Sequence, residues 1–189
     1  MRKRRPVYFI FCEGKSNKTE TTYLMHFKKI SSSYSMVIKP TDHTEPLSML
    51  SYAVSYCRNH GFDVRSHDLI FLLLDVDTKE NVVDEERYHR KGQKKNVSVL
   101  FSNPSFEVWF LDHYIYTEKS YLNQDELIAD LKRYLPEYEK NKDVFSILGS
   151  YEKALRNARR QSGGESCLFQ ESAGTDFYKL LEVLVNPKE

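Results

Sequence analysis

The sequence predicts an α/β fold, a mostly parallel sheet flanked by helices and followed by a helical C-terminal part. Short apolar segments alternate with segments of helical period up to residue 116, an order that is typical of parallel sheets. Beyond residue 116 the apolar residues follow a helical period only. We therefore divide the chain into an α/β core, residues 1–116, and a helical extension packed on that core, residues 117–189.

Four apolar segments are predicted as strands because they are short and rich in β-branched and aromatic residues. The third is apolar on both faces, as expected of a central strand that is covered by helices on both sides. The four predicted strands span residues 7–12, 35–39, 69–74 and 96–101.

The predicted helices are placed by their apolar spacing and by the polar residues before them. Thr44, Ser150 and Thr175 each precede an apolar helical pattern, as N-cap residues do. Leu127 and Leu131 belong to a four-residue repeat that stops at a proline. Two further helices are predicted, one that begins near residue 19 and one that spans about residues 106–114. The leucine repeat predicts another helix over residues 124–135.

Composition and charge narrow the class of protein. The formal net charge is +1, so any contact with nucleic acid must come from local basic patches. The three cysteines have no metal-ligand spacing, which favours a reducing compartment over a disulfide framework. The apolar run 69–74 is too short to span a bilayer. We therefore expect a cytoplasmic protein without a membrane partner.

Acidic residues follow two of the predicted strands. Glu13 comes directly after the first strand, and Asp75 and Asp77 come after the third. Because ligands of parallel sheets bind at the carboxyl ends of strands, these three carboxylates are candidate metal ligands and catalytic groups. Oxygen ligands favour Mg²⁺ or Mn²⁺, which can polarise a phosphoryl oxygen and activate water. The alternative is that such residues cap helices or form turns.

Two further carboxylates begin predicted helices that follow strands. Glu20 and Glu107 are each expected on the rim that carries Asp75, where they would complete a second metal site or orient water. A carboxylate in the first turn of a helix is also stabilised by the helix dipole alone. Both interpretations remain open at this point.

Four lysines are candidate contacts to nucleic acid. Lys15 lies in the loop after the first strand, and Lys94 and Lys95 end a basic segment before the fourth. Lys140 lies in the C-terminal part. Each could contact a phosphate, although exposed lysines are more commonly only solvated.

Two sequence motifs carry a family resemblance. A carboxylate and glycine after the first strand, with Asp-x-Asp after a later strand, is the layout of the Toprim domain. Glu13-Gly14 followed by Thr19-Glu20 and Tyr23 is similar to the E-G-x-x-T-E-x-x-Y opening of the RloB-like family, with two residues more between Gly14 and Thr19. Residues 102–111, Ser-Asn-Pro-Ser-Phe-Glu-Val-Trp-Phe-Leu, resemble that family's S-N-P-x-F-E-x-W-x-L motif. The resemblance covers essentially the whole chain.

The resemblance implies a Toprim-like nuclease, dependent on Mg²⁺ or Mn²⁺ and acting on DNA or on RNA such as tRNA, in phage defence. A competing hypothesis is a non-catalytic module that binds a metal or nucleotide within a defence complex, beside a partner protein. A haloacid dehalogenase phosphatase is a third, because residues 75–78 resemble D-x-D-x-T, but Lys79 occupies the threonine position. Self-association into a homo-oligomer stays open.

Overall fold

The computed structural model describes residues 4–14, 18–43, 46–76, 87, 90–93 and 95–187. Their centre is a five-stranded sheet of order β2-β1-β3-β4-β5. The first four strands are parallel, and β5 pairs antiparallel with β4. The strands are β1 (Val7–Glu13), β2 (Ser35–Thr41), β3 (Leu69–Asp75), β4 (Val97–Asn103) and β5 (Gly174–Thr175).

Within the described ranges, the helices beside the sheet are α1 (Thr19–Ile30), α2 (Pro46–Asn59), α3 (Glu107–Asp112), α4 (Gln124–Leu131), α5 (Tyr151–Ser162) and α6 (Phe177–Val185). Short 3-10 turns lie at Val64–Ser66 and Cys167–Phe169, and residues 87 and 90–93 are also helical. In the part of the chain that the structure describes, no helix is long and apolar enough to cross a membrane.

Each face of the sheet buries its own hydrophobic cluster, because successive side chains of a strand point to opposite faces. On the α2 face, Phe11 and Leu72 pack with Met49 of α2. On the α1 face, the cluster joins β1, β3 and β4 to α1 and to the helices α3 to α6. Residues on both sides of position 117 share this second cluster, and the division there stays a prediction.

The fold class is confirmed: the sheet is mostly parallel, helices flank it, and helices dominate the C-terminal part. Trp109 is fully buried, as expected of a core residue. The predicted and observed ends of the strands and helices differ by a few residues. The difference is largest at α4, which was predicted to end at residue 135 and ends at Leu131.

The expectation of helices alone beyond residue 116 is wrong. Gly174–Thr175 forms the edge strand β5, and the last helix begins at Phe177. The backbone N–H of Asp176 also donates to the carbonyl of Phe101, at 2.8 Å. Two residues are too few to show strand periodicity, so only pairing with β4 makes this segment a strand. Thr175 still contacts the helix start, because its Oγ1 accepts from Phe177 N at 3.1 Å.

Candidate functional site

The carboxyl ends of β1 to β4 lie at one edge of the sheet, which we call the carboxyl rim. The last residues of these strands are Glu13, Thr41, Asp75 and Asn103. Glu13 is paired with Thr41, Asp75 is paired with Ser102, and β1 and β3 are neighbours in the sheet. The structure thus brings Glu13 and Asp75 to adjacent strand ends. Asp77 lies outside the described residues.

The two strand-end carboxylates face different sides of the sheet. Cys12 pairs with Leu73, and both side chains belong to the α1-face cluster. Alternation along each strand therefore places Asp75 on the α1 face and Glu13 on the α2 face. Burial, and then the charges of Glu20 and Asp75, raise the pKa of the Cys12 thiol. Glu20 and Asp75 therefore both lie near the Cys12 thiol, as expected of residues on one rim.

Glu20 lies in the first turn of α1, at the carboxyl rim. Its Oε2 is buried and accepts no hydrogen bond in the described part of the chain. Burial, and then the nearby charge of Glu107, raise the pKa of Glu20 to about 7, although its own backbone N–H, Lys18 and Lys140 act to lower it. The protein thus holds a poorly compensated carboxylate at the rim, which a proton or a cation would stabilise.

Glu107, the first residue of α3, is buried, with only 1% of its surface exposed. Its Oε2 accepts from Ser105 Oγ at 2.7 Å and from Gln124 Nε2 at 2.9 Å. Its Oε1 accepts from the hydroxyl of Tyr138 at 2.7 Å. Glu107 thus begins α3 at the carboxyl end of the sheet, as predicted, but it is enclosed by three donors and not exposed. It acts on Glu20 through its charge, and its role in orienting water stays a prediction.

Two lysines lie near Glu20 at the rim. Lys140 is exposed, and its Nζ donates to Gln124 Oε1. Lys18 lies across Gly14, where φ is +90° and an added Cβ would lie 2.4 Å from Lys18 Cε. Gly14 is therefore required both by the backbone angle and by the lysine that crosses it. Both lysines are placed to attract an anion to the rim.

Of the other three predicted lysines, the structure describes Lys95, which does not lie at this rim. Lys95 is exposed and precedes β4, at the amino end of the strand. Asp75 pairs with Ser102 at the opposite end, so the two levels are about 23 Å apart at roughly 3.3 Å per residue. Lys95 therefore does not join the carboxylates in one site. Lys15 and Lys94 lie outside the described residues.

Sequence reasoning missed the neutral partners of Glu107. Ser105 and Tyr138 were visible as neighbours of motif residues, the former inside the S-N-P-S-F-E motif and the latter two positions before Lys140. Gln124 gave no signal, because it is 17 positions from Glu107 and begins an ordinary capped helix. Such partners become visible only when the chain is folded.

The rim residues can be tested for fit to Mg²⁺ or Mn²⁺. Glu13, Glu20 and Asp75 offer oxygen donors, the type that these hard ions prefer. The buried, unpartnered Oε2 of Glu20 is an atom that a cation would satisfy. Within residues that the structure describes, however, no group of three His, Cys, Asp or Glu side chains could hold a metal ion. The donor chemistry fits, and a complete ligand set would need Asp77.

Comparison with known proteins gives one family. A search of the curated proteins finds no match, and a search of the solved structures finds none either. The model of the family described as "RloB-like protein" matches residues 8–184, a range that includes the carboxyl rim and the Glu107 hydrogen bonds. This match spans nearly the whole chain, and the protein therefore belongs to the RloB-like family.

Proposed function

We propose that this protein is a metal-dependent nuclease that hydrolyses phosphodiester bonds of DNA or of RNA such as tRNA. We further propose that it acts in the cytoplasm, in phage defence. The observation that carries the proposal is Glu20, a buried carboxylate with an unpartnered oxygen, close to Asp75 and to two lysines at the carboxyl ends of parallel strands. The family resemblance supports the choice of substrate and of biological role.

The rim residues divide the work of hydrolysis by their chemistry. Lys18 and Lys140 attract the phosphate backbone. Asp75 and Asp77 would hold Mg²⁺ or Mn²⁺ together with Glu13, whose side chain would have to reach past the end of the sheet to the same ion. When bound, the ion polarises a phosphoryl oxygen and lowers the pKa of coordinated water. Because its pKa is raised to about 7, Glu20 can accept or return a proton at its Oε2 near neutral pH.

The alternative is a non-catalytic module that binds nucleic acid or a nucleotide within a defence complex. The observation that favours it is that the described residues hold no group of three metal-binding side chains. The two functions differ in one result, since a module binds nucleic acid without cleaving it.

Cleavage of plasmid DNA and of total tRNA, in Mg²⁺, Mn²⁺ or EDTA, tests the proposal. We expect metal-dependent cleavage that Asp75→Asn reduces by about 10²-fold or more, the scale of positioned catalytic groups. Asp125→Asn is the matched control, because Asp125 is an exposed carboxylate at the start of α4. Equal activity of the two variants would remove Asp75 from the site, and binding without cleavage would favour the module.

A further inference from the structure

A chain of hydrogen bonds runs from the buried Glu107 to the surface. Gln124 Nε2 donates to Glu107 Oε2 at 2.9 Å, and Gln124 Oε1 accepts from Lys140 Nζ. A glutamine amide has one donor end and one acceptor end. The carboxylate selects the donor end and the ammonium selects the acceptor end, so the orientation of Gln124 is fixed from both sides.

The inner end of this chain is rigid. Ser105 Oγ and the Tyr138 hydroxyl each donate to Glu107 at 2.7 Å, and each of these two residues is only 1% exposed. The outer end is held as well, because the backbone N–H of Asn141 donates to Thr19 Oγ1 at 3.2 Å. The loop that carries Lys140 is thus attached to the first residue of α1, beside Glu20.

Lys140 differs from the neighbouring lysine of the same loop. Lys142 pairs with Glu139 at 2.6 Å. The ammonium of Lys140 contacts the neutral amide of Gln124 and, among the described residues, forms no ion pair. An ammonium has three donors, so two remain for a ligand. The charge of Lys140 also lowers the pKa of Glu20, which places it close to the rim.

We infer that Lys140 binds a phosphate of the nucleic-acid backbone and that Glu107 is a positioning residue that acts on Lys140 through Gln124. This inference rests on the proposed function, since it assigns the phosphate contact of the same site. Fixing a lysine before binding reduces the side-chain entropy that binding would otherwise cost. Glu107 then contributes to substrate binding without touching substrate or metal.

A double-mutant cycle tests whether the effect of Gln124 on nucleic-acid affinity depends on Lys140. The probe is a fluorescent single-stranded oligonucleotide, whose binding is followed by anisotropy over a salt series in EDTA, so that cleavage does not contribute. The proteins are wild type, Gln124→Leu, Lys140→Ala, the double variant, and Lys142→Ala as a matched loss of charge in the same loop. Thermal melts verify that each variant is folded, and Gln124→Ala replaces Gln124→Leu if the latter does not fold.

We expect Lys140→Ala to weaken binding about tenfold and to reduce the salt slope by about 0.7 for a single strand. Lys142→Ala should weaken binding less than twofold. Gln124→Leu should weaken binding about threefold in the wild-type background and not at all in the Lys140→Ala background. An equal effect of Gln124→Leu in both backgrounds, equal losses for the two lysines, or no binding by the wild type would each overturn the inference. Binding that follows the expected cycle without Mg²⁺-dependent cleavage would instead overturn the proposed function alone.

Discussion

Two buried carboxylates at opposite ends of the sheet have opposite environments. Asp68 lies just before β3, at the amino end, and it accepts from Val7 N at 2.8 Å, Asp63 N at 2.9 Å and Arg4 Nη2 at 2.9 Å. Glu20 lies at the carboxyl rim, and its Oε2 is buried without a hydrogen bond from the described residues. The fold therefore satisfies one charge fully and leaves the other poorly compensated.

This difference separates a structural carboxylate from a functional one. Asp68 connects the start of β1 to the segment before β3, so its charge is part of the sheet's assembly. A buried carboxylate oxygen that accepts no hydrogen bond, such as Oε2 of Glu20, lowers stability. A protein commonly keeps such a group where a ligand compensates it. By this criterion the carboxyl rim is the end of the sheet at which we propose the function.

A cavity at the other end does not change this conclusion. It has a volume of about 670 Å³ and is lined mainly by apolar side chains, among them Tyr8, Leu69 and Phe71. Two charged groups beside it are already paired, since Asp68 has three donors and Lys179 Nζ donates to Asp176 Oδ1 at 2.7 Å. A cavity alone therefore does not locate the chemistry.

The largest effect on stability is expected at Asp68. Replacing it with alanine leaves two backbone N–H groups and Arg4 without their acceptor. The free energy of unfolding should fall by about 2–4 kcal/mol, because two backbone N–H groups lose their acceptor, whereas the side chain of Arg4 is 44% exposed and stays solvated. Urea denaturation measures the loss, with exposed Asp42→Ala as control. A loss below about 1 kcal/mol would mean that Asp68 and Glu20 do not differ as described.

Glu20→Gln should raise the free energy of unfolding, in contrast to the substitution of Asp68, and the size of this gain should depend on pH. The folded-state pKa of about 7 lies above the ordinary value of 4.5, so the folded protein retains a proton that the unfolded chain loses. Wild-type stability from this group therefore falls as pH rises from about 4.5 to about 7. At pH 8 the variant should be more stable by about 2–3 kcal/mol, and below about pH 4 the two should be equal.

Urea titrations at several pH values measure this difference. Burial also shifts the pKa of Asp112 upward and lowers that of His113 to about 4. Both groups titrate in each protein, so their contributions cancel when the variant is subtracted from the wild type. A difference that does not change with pH would show that Glu20 is compensated as well as Asp68.

Glu107→Gln compares two carboxylates at the carboxyl end of the sheet, Glu107 with its three donors and Glu20 with its unpartnered oxygen. Three donors surround Glu107, so the loss of its charge should lower the free energy of unfolding by about 1–2 kcal/mol. The same change removes a charge that raises the pKa of Glu20, so that pKa should fall. Denaturation and NMR titration of the Glu20 carboxyl measure the two effects. A stable variant with an unchanged Glu20 pKa would contradict the assigned environment.

The smallest effect is expected at Lys95, at the amino end. Lys95→Glu should change the affinity for a single-stranded oligonucleotide less than twofold, because its level in the sheet is about 23 Å from Asp75 at roughly 3.3 Å per residue. Lys140→Glu is the comparison variant, and its affinity should fall at least as far as that of Lys140→Ala. Equal losses in anisotropy measurements would extend the nucleic-acid surface to the amino end.

The sequence predicted those parts of the fold that have a local cause. β1 to β4 are apolar runs, and the helix that follows Ser150 begins with the predicted cap, since Ser150 Oγ accepts from Glu152 N at 3.3 Å. β5 was missed because it forms only by pairing with the edge of β4, from which it is 71 to 73 positions away: Asn103 pairs with Gly174 and Ser102 with Thr175.

The candidate site follows the same division between local and long-range causes. Glu13, Asp75 and Glu20 were placed at the carboxyl rim because strand ends and helix starts fix their positions. The enclosure of Glu107 was not, since Tyr138 is 31 positions away. Lys95 stays a predicted nucleic-acid contact, although the direction of β4 places it at the opposite end of the sheet from the rim. Local patterns locate a residue along an element, whereas its partners depend on the folded chain.

The late edge strand β5 has a consequence for synthesis on the ribosome. The segment that completes the sheet is Gly174–Thr175, and Phe177, which follows it, packs in the α1-face cluster against Trp109. A growing chain can therefore form β1 to β4 well before it can cover the edge of β4 or this face of the sheet. Until then the nascent chain displays unpaired backbone groups and apolar rings, features that promote aggregation and chaperone binding.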